Sequence, residues 1–335
     1  MIALSKRRIK MKGISLLFFS LLLLLSSCSN QNADSSGSDF SGGPLTFIVP
    51  TAAGGGTDIV TRSLGSMMEE EMDRGIGVEN IPGGSNAIGM IEGANADPNG
   101  KTVTMVVAEL AMLNDLGLAD ISPDDYKPVA MVNLDPAAIT VPADAPYDTL
   151  EEFIAYAKEH PDEIKIGNSG TGSIWHIASE AMGSETNTSY TNVPYEGAGP
   201  AVTALAGGHV DAVTVSAAEV LPQVESGEFK TLAVMSEERV EAMPDVPTFE
   251  EEGYDLGTVG TWRGLCVPVD TPEQTVDKLE KSILETADSK EFEEFMNDGG
   301  YGLEIKDSEE FQAFLNEQSE FFDEMLTELD MKQEQ

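Results

Sequence analysis

The chain has 335 residues, with 19 Lys and Arg against 59 Asp and Glu, and a formal net charge of −40. A surface of that sign repels nucleic acid and anionic membrane faces, which excludes both as partners. The composition is otherwise that of a globular protein, with 41% hydrophobic residues and a length that suits two domains.

Residues 1–27 read as a signal peptide. Lys6, Arg7, Arg8, Lys10 and Lys12 form a basic region, Ile14 to Leu25 is almost wholly apolar, and Leu25-Ser26-Ser27-Cys28 places small residues before a cysteine. The apolar run is about a dozen residues, short of the ~20 that a spanning helix needs. Its ending resembles a bacterial lipobox, which implies cleavage before Cys28 and lipidation of that cysteine. Cleavage leaves 308 residues and removes five positive charges, taking the formal charge from −40 to −45. Residues 28–44 are rich in Ser, Gly, Asn and Asp and read as a flexible tether, so the protein is expected outside the cell, lipid-anchored to its membrane. Cys266 is then the one remaining thiol; no disulfide forms, and its flanks, Leu265 and Val267, mark a core position.

The fold opens with an apolar run, Leu45 to Val49, followed by Thr51-Ala52-Ala53-Gly54-Gly55-Gly56-Thr57-Asp58 and a helical pattern at Val60, Leu64, Met67 and Met68. That is a strand, a glycine loop and a helix. The glycines leave amides bare and permit φ > 0, which is expected of Gly55 in particular. Thr57 and Asp58 stand where a helix begins and its first amides lack partners. An anion is held at such a start without a cationic side chain; a tight turn with no ligand is the alternative. The dinucleotide pattern G-x-G-x-x-G fails because Ile59 takes its last position. Gly100-Lys101-Thr102 is no P-loop either, since Asn95 replaces its first glycine and Thr102 to Val107 reads as a strand. No nucleotide or other cofactor is expected.

Further strands are predicted at Ile76 to Asn80, Thr102 to Val107, Val129 to Val132, Ala138 to Val141, Ile164 to Gly167, Thr191 to Pro194, Ala212 to Val215, Thr231 to Met235 and Leu265 to Val267. Helices alternate with them at Asp58 to Met72, Asn86 to Ala94, Leu150 to Lys158, Ile174 to Met182, Pro200 to Leu205, Glu219 to Ser226 and Thr271 to Thr286, which predicts an α/β fold with mostly parallel sheets. The last stretch, Ser308 to Leu329, carries Phe311, Phe314, Leu315, Phe321, Phe322, Met325, Leu326 and Leu329 on one face and reads as a docking helix.

The first loop's device recurs. Gly84 and Ser85 precede one helix, Ser169-Gly170-Thr171-Gly172-Ser173 a second, Tyr195 and Gly197 a third, and Ser216 a fourth. Ligands of open α/β sheets bind beyond the carboxyl ends of strands, so these loops predict a cleft between two lobes. His160, His176 and His209 have no metal-ligand spacing, and no catalytic constellation is expected. His176, on the first turn after Ser173, either faces the cleft or caps its own loop.

Seven motifs together resemble the substrate-binding receptors of tripartite tricarboxylate transporters, the Bug or TctC-like family. They are G-G-G-T-D-x-x-x-R at Gly54 to Arg62, E-N-x-P-G-G at Glu79 to Gly84, G-x-G-S-x-x-H at Gly170 to His176, V-P-Y-x-G-x-G-P at Val193 to Pro200, G-G-H-V-D at Gly207 to Asp211, P-D-V-P-T-x-x-E-x-G at Pro244 to Gly253, and W-R-G at Trp262 to Gly264. The resemblance implies a two-lobed, type II periplasmic-binding-protein-like fold with two hinge segments, closing on a small carboxylate. It also implies a monomeric receptor with two integral membrane transporter subunits as partners. Lobe 1 is then expected over 45–135 and 255–335, and lobe 2 over 136–254. A di- or tricarboxylate is favoured, with Arg263 of the W-R-G motif holding an outer carboxylate. Two alternatives share the sequence: a tethered sensor with the same binding chemistry, and a hydrolase using Ser169 or Ser173 with His176.

Overall fold

The computed structural model describes residues 42–333; the signal peptide, Cys28 and most of the tether lie outside them. Strands β1 (Leu45–Val49), β2 (Ile76–Asn80) and β3 (Thr102–Val107) pair in parallel in the order β2-β1-β3, connected by helices α1 (Gly56–Met72) and α2 (Ala87–Ala94). A second parallel set consists of β5 (Lys165–Asn168), β6 (Thr191–Pro194) and β7 (Ala212–Ser216), interleaved with α4 (Ile174–Thr186), α5 (Ala198–Ala206) and α6 (Ala217–Glu225), after α3 (Leu150–Glu159). Each set is a strand, loop, helix series of the predicted kind, and the Gly100-Lys101-Thr102 stretch opens β3 as expected.

Two long strands join the sets. β4 (Tyr126–Pro142) runs antiparallel to β7 and β8 (Phe229–Val234) at one end and to β9 (Gly260–Pro268) and β10 (Leu303–Lys306) at the other. β9 in turn pairs antiparallel with β3, so the sheet order is β2-β1-β3-β9-β4-β7-β5-β6. The expectation of mostly parallel sheets therefore holds for the outer strands, while β4 and β9, which carry the chain between the halves, make the sheet mixed. The two short strands expected at Val129 to Val132 and Ala138 to Val141 are parts of one strand. The polar stretch Asn133 to Pro136 interrupts the apolar pattern but not the backbone, because Pro136 lies opposite Gly260, where β9 begins and a missing donor is tolerated.

The core follows the sheet. Phe47, Leu64, Met68, Val103, Leu265 and Phe292 form one buried cluster around β1, with α7 (Glu273–Ala287) and α8 (Lys290–Asp298) closing it. The last helix, α9 (Ser308–Glu328), buries Phe311, Leu315, Phe322 and Leu326, as its apolar face predicts. Phe311 fits because Gly264 has no side chain: a Cβ there would lie 2.2 Å from the ring. Trp262 packs edge-on against Phe311 and Phe314 at 5.9 and 5.8 Å between centroids. Side chains alternate along a strand, so Arg263 points to the other face of the sheet. Cys266 is fully buried, and burial pushes its thiol well above the ordinary value.

At the β4–β9 crossing, a Cβ on Gly260 would lie 2.3 Å from the Asp135 carbonyl oxygen and 2.6 Å from Pro136 Cα, both backbone. Gly260→Ala should cost about 1–3 kcal/mol in urea unfolding, the scale of an overpacked core. Gly199→Ala, where a Cβ meets nothing within 4 Å, should leave stability unchanged or raise it.

Candidate functional site

The five glycine or serine loops follow the carboxyl ends of β1, β2, β5, β6 and β7, yet their helix starts differ in chemistry. α1 begins at Gly55, which has no capping side chain. The acid in its first turn, Asp58, turns away to fasten the loop: Oδ2 accepts from Gly54 N at 2.8 Å, and Oδ1 from Arg62 Nε at 2.8 Å and Asn80 Nδ2 at 2.9 Å. Burial alone would push this carboxyl up, but the hydrogen bonds from Arg62, Gly54 and Asn80 outweigh it and hold Asp58 below the usual carboxylate value. Thr51 gives its carbonyl to Asn80 at 3.1 Å, while Ala52 and Ala53 are exposed. Of the three glycines only Gly54 takes the left-handed region, φ +83°. Gly55, expected to need it, has φ −83°. Gly56 is required for a different reason, close approach to Arg263.

The remaining starts are occupied to different degrees. At α2 the carbonyls of Gly84 and Gly83 take the amides of Ala87 and Ile88 at 3.1 and 3.3 Å. At α4, Ser173 caps His176 N at 3.3 Å and gives its own hydroxyl to Gly170 O at 2.7 Å. At α6, Ser216 and Glu219 form a capping box. α5 begins at Gly197, φ +124°, with no capping side chain, beside the half-buried Tyr195. The open starts are therefore α1 and α5.

Contacts cross the gap between the halves. Ser85 Oγ donates to Thr171 O at 3.1 Å, and Glu109 Oε1, from the 3₁₀ turn Ala108–Ala111 after β3, accepts the first amide of α4, Ile174 N, at 3.3 Å. Gly172, φ +77°, lies against Leu118, and Gly300 against Ala218 and Leu221. The Ser169 to Ser173 loop thus meets the Ser85 loop and the Glu109 turn directly. His176 does not stand free: its Nδ1 accepts from Gly172 N at 3.2 Å, and Nε2 lies 3.5 Å from Glu180 Oε1. With the Ser173 proton given to a carbonyl and both ring nitrogens engaged on its own loop and helix, Ser173 and His176 are not paired as nucleophile and base.

Arg263 organises the centre. It is 2% exposed; its Nε donates to Thr57 Oγ1 at 3.0 Å, and its Nη1 donates to Asn133 Oδ1 and Asp135 Oδ2. Asp135 is also fully engaged, its Oδ1 accepting from Asn133 Nδ2 at 2.9 Å and Gly302 N at 2.8 Å. A bulge in β4 between Met131 and Asn133 sets two residues against one on β9 and brings Asn133 opposite Arg263. The guanidinium stacks near Tyr301, 6.0 Å from its centroid, and its Nη2 lies 2.9 Å from where a Cβ on Gly56 would be. So the one buried arginine among the described residues lies against the uncapped start of α1. Burial pushes the carboxyls of Glu109 and Glu219 above their ordinary values, although the Arg263 charge pulls both the other way. Among the described residues, no group of three or more His, Cys, Asp or Glu is placed to hold a metal ion.

Sequence reasoning singled out Arg263, Thr57 and the loops; it did not single out Glu109, Asp135, Asn133, Glu219 or Tyr301, which the structure sets around them. The signals were present for two of them: an acid directly after the apolar run Thr102 to Val107, and Asp135-Pro136 inside a strand pattern.

The tripartite tricarboxylate transporter family receptor model matches residues 60–331. The BugT protein of Bordetella pertussis is 30% identical over 251 residues, covering 74% of this chain and 77% of its own. Among solved structures, a TctC solute-binding protein from Polaromonas is 37% identical with a TM-score of 0.70, covering 86% of this chain and 99% of its own. MatC from Rhodopseudomonas palustris, solved with bound malate, is 28% identical with a TM-score of 0.79, covering 86% and 100%. The two-lobed periplasmic-binding-protein fold is shared with these proteins.

Removing the Arg263 charge leaves Asp135 buried without its partner, so Arg263→Gln should lower unfolding free energy by about 3–5 kcal/mol. Arg263→Gln combined with Asp135→Asn should recover much of that loss in the same denaturation assay.

Proposed function

The chain belongs to the tripartite tricarboxylate transporter receptor family, and from that premise we propose that it is a solute-binding lipoprotein that captures a small carboxylate outside the cell and delivers it to two integral membrane subunits. The observation that carries the ligand class is the pairing of an uncapped helix start with a buried guanidinium at Gly55 to Thr57. Helix starts contribute ~0.3–1 kcal/mol toward an anion in exposed settings and up to ~2 when partly buried. An arginine beside them adds charge-assisted hydrogen bonds that a carboxylate matches in shape. Thr57, Gly56 and Arg263 are proposed to hold one carboxylate of the solute, with the loops at Ser85, Ser169 to Ser173 and Tyr195 to Gly197 closing over the rest.

The lobes are proposed to divide within β4 near Asp135 and again before β9 near Asp255, so that both crossings run beside the site. Motion between the lobes then bends two strands and leaves each loop rigid on its own half. Anchoring through Cys28 is proposed from the leader sequence, and binding without chemical conversion from the family and the engaged state of Ser173 and His176. The di- or tricarboxylate expectation put Arg263 on an outer carboxylate. With Arg263 at the α1 start and Asp135 paired to it, Arg263 is proposed to take the first carboxylate, and malate in MatC supports a dicarboxylate solute.

Mass spectrometry of solute released from the purified protein should identify a small carboxylate, which calorimetry then confirms. Gly56→Ala pushes a methyl against Arg263 Nη2 at 2.9 Å and the Tyr301 ring at 3.3 Å, so it should weaken that binding at least about tenfold. A protein that binds no small carboxylate, or a Gly56→Ala variant with unchanged affinity, contradicts the assignment.

A further inference from the structure

The loop between α8 and β10 reads Gly299-Gly300-Tyr301-Gly302, and each of its glycines is demanded by what surrounds it. A Cβ on Gly299 would lie 2.6 Å from the Tyr301 ring, and one on Gly302 would run into the Leu134 carbonyl. Gly300, φ +69°, would meet Leu221 at 2.7 Å and Ala242 at 3.3 Å. Gly302 then ties the loop to β4, its amide donating to Asp135 Oδ1 at 2.8 Å and its carbonyl accepting from Asn133 Nδ2 at 2.6 Å. The residue held by this arrangement is Tyr301. Its ring stacks on Phe295, 6.2 Å between centroids at 22°, and the Arg263 guanidinium carbon lies 6.0 Å from its centroid. Its Cε1, bonded to the carbon that carries the hydroxyl, lies 3.3 Å from where a Cβ on Gly56 would be, and Arg263 Nη2 lies 2.9 Å from the same point. Two donors thus stand at the uncapped start of α1 with no partner among the described residues: the Tyr301 hydroxyl, and Nη2 of an arginine that is 2% exposed.

We propose that Tyr301 is a solute-binding residue, its hydroxyl donating to the carboxylate held by the α1 start and Arg263 Nη2. This rests on the α1 start being the solute site. Three kinds of donor then converge on one carboxylate, which has lone pairs for all of them: backbone amides, a guanidinium N–H and a phenol O–H. The phenol adds direction without adding charge. Burial pushes it above its ordinary value, although the Arg263 charge pulls the other way, so at neutral pH it carries its proton and donates. A ring placed for packing alone would need no hydroxyl. The stack on Phe295 and the approach to Arg263 are made by the ring, and phenylalanine would serve them equally.

Calorimetry near neutral pH with malate, succinate, glutarate, adipate and citrate decides it, comparing the wild type with Tyr301→Phe. The variant should bind the tightest member of that panel about tenfold more weakly, the scale of one hydrogen bond to a charged group. Its thermal unfolding should be unchanged, since the hydroxyl has no partner within the chain. Saturating solute should also perturb the near-ultraviolet absorption of tyrosine in the wild type, and Tyr301→Phe should lose most of that difference signal, which a structural role would not produce. A folded Tyr301→Phe with wild-type affinity overturns the inference, as does one that keeps the full tyrosine signal. A variant that unfolds overturns it too, because the hydroxyl would then be spent within the chain. If no member of the panel binds the wild type, the carboxylate-receptor reading fails and the role of Tyr301 falls with it.

Discussion

The structure depends on one buried ion pair, Arg263 with Asp135, set where β4 and β9 run side by side between the two halves. Burying two charges is costly, and a buried pair is seldom a net source of stability unless its remaining donors and acceptors are satisfied. Here all but Arg263 Nη2 are provided for locally. Asn133 bridges both partners, Gly302 donates to the carboxylate, and Thr57 accepts from Nε. What the pair contributes is position. It fixes a guanidinium against the start of α1 while Trp262, on the opposite face of the same strand, is clamped by the aromatic side of α9. Site and core are therefore coupled through two adjacent residues.

The second constraint is the distribution of caps. Serine at a helix start satisfies amides from within the chain, and glycine leaves them for something else. α4 and α6 belong to the first kind, α1 and α5 to the second. Five loops that look alike in composition thus supply unlike surfaces, and only the α1 and α5 starts are left open. Glu109 adds to this an acid from the turn after β3 that accepts the first amide of α4.

Much of the fold was legible because its signals are local. β1, β2, β3 and β6 have the bounds that their apolar runs predict, and α9 buries the face that its periodicity marks. β4 was not legible as one strand, because Asn133, Asp135 and Pro136 break the apolar pattern, and their partners come from β9 and from Gly302, far away in sequence. α8 and β10 were missed as well; α8 is short and strongly acidic, and β10 pairs among the described residues with β4 alone, through an irregular register. In the site, the glycine loops announced themselves. The polar centre did not, because Asn133 and Asp135 acquire meaning only when β4 and β9 pair and bring them to Arg263. Asp58 is the converse: a residue assigned to ligand by its motif, whose carboxylate is spent on fastening its own loop.

The central claim is that a solute carboxylate is held between the halves, at the α1 start beside Arg263. A crystal structure of the protein with its bound solute tests it most directly. The account predicts a carboxylate oxygen within hydrogen-bonding distance of the Gly56 or Thr57 amide and of Arg263 Nη2, with the Arg263–Asp135 pair intact. A solute seated elsewhere, such as in the acidic groove between Glu238 and Glu293, or one that displaces Asp135 from Arg263, would contradict it.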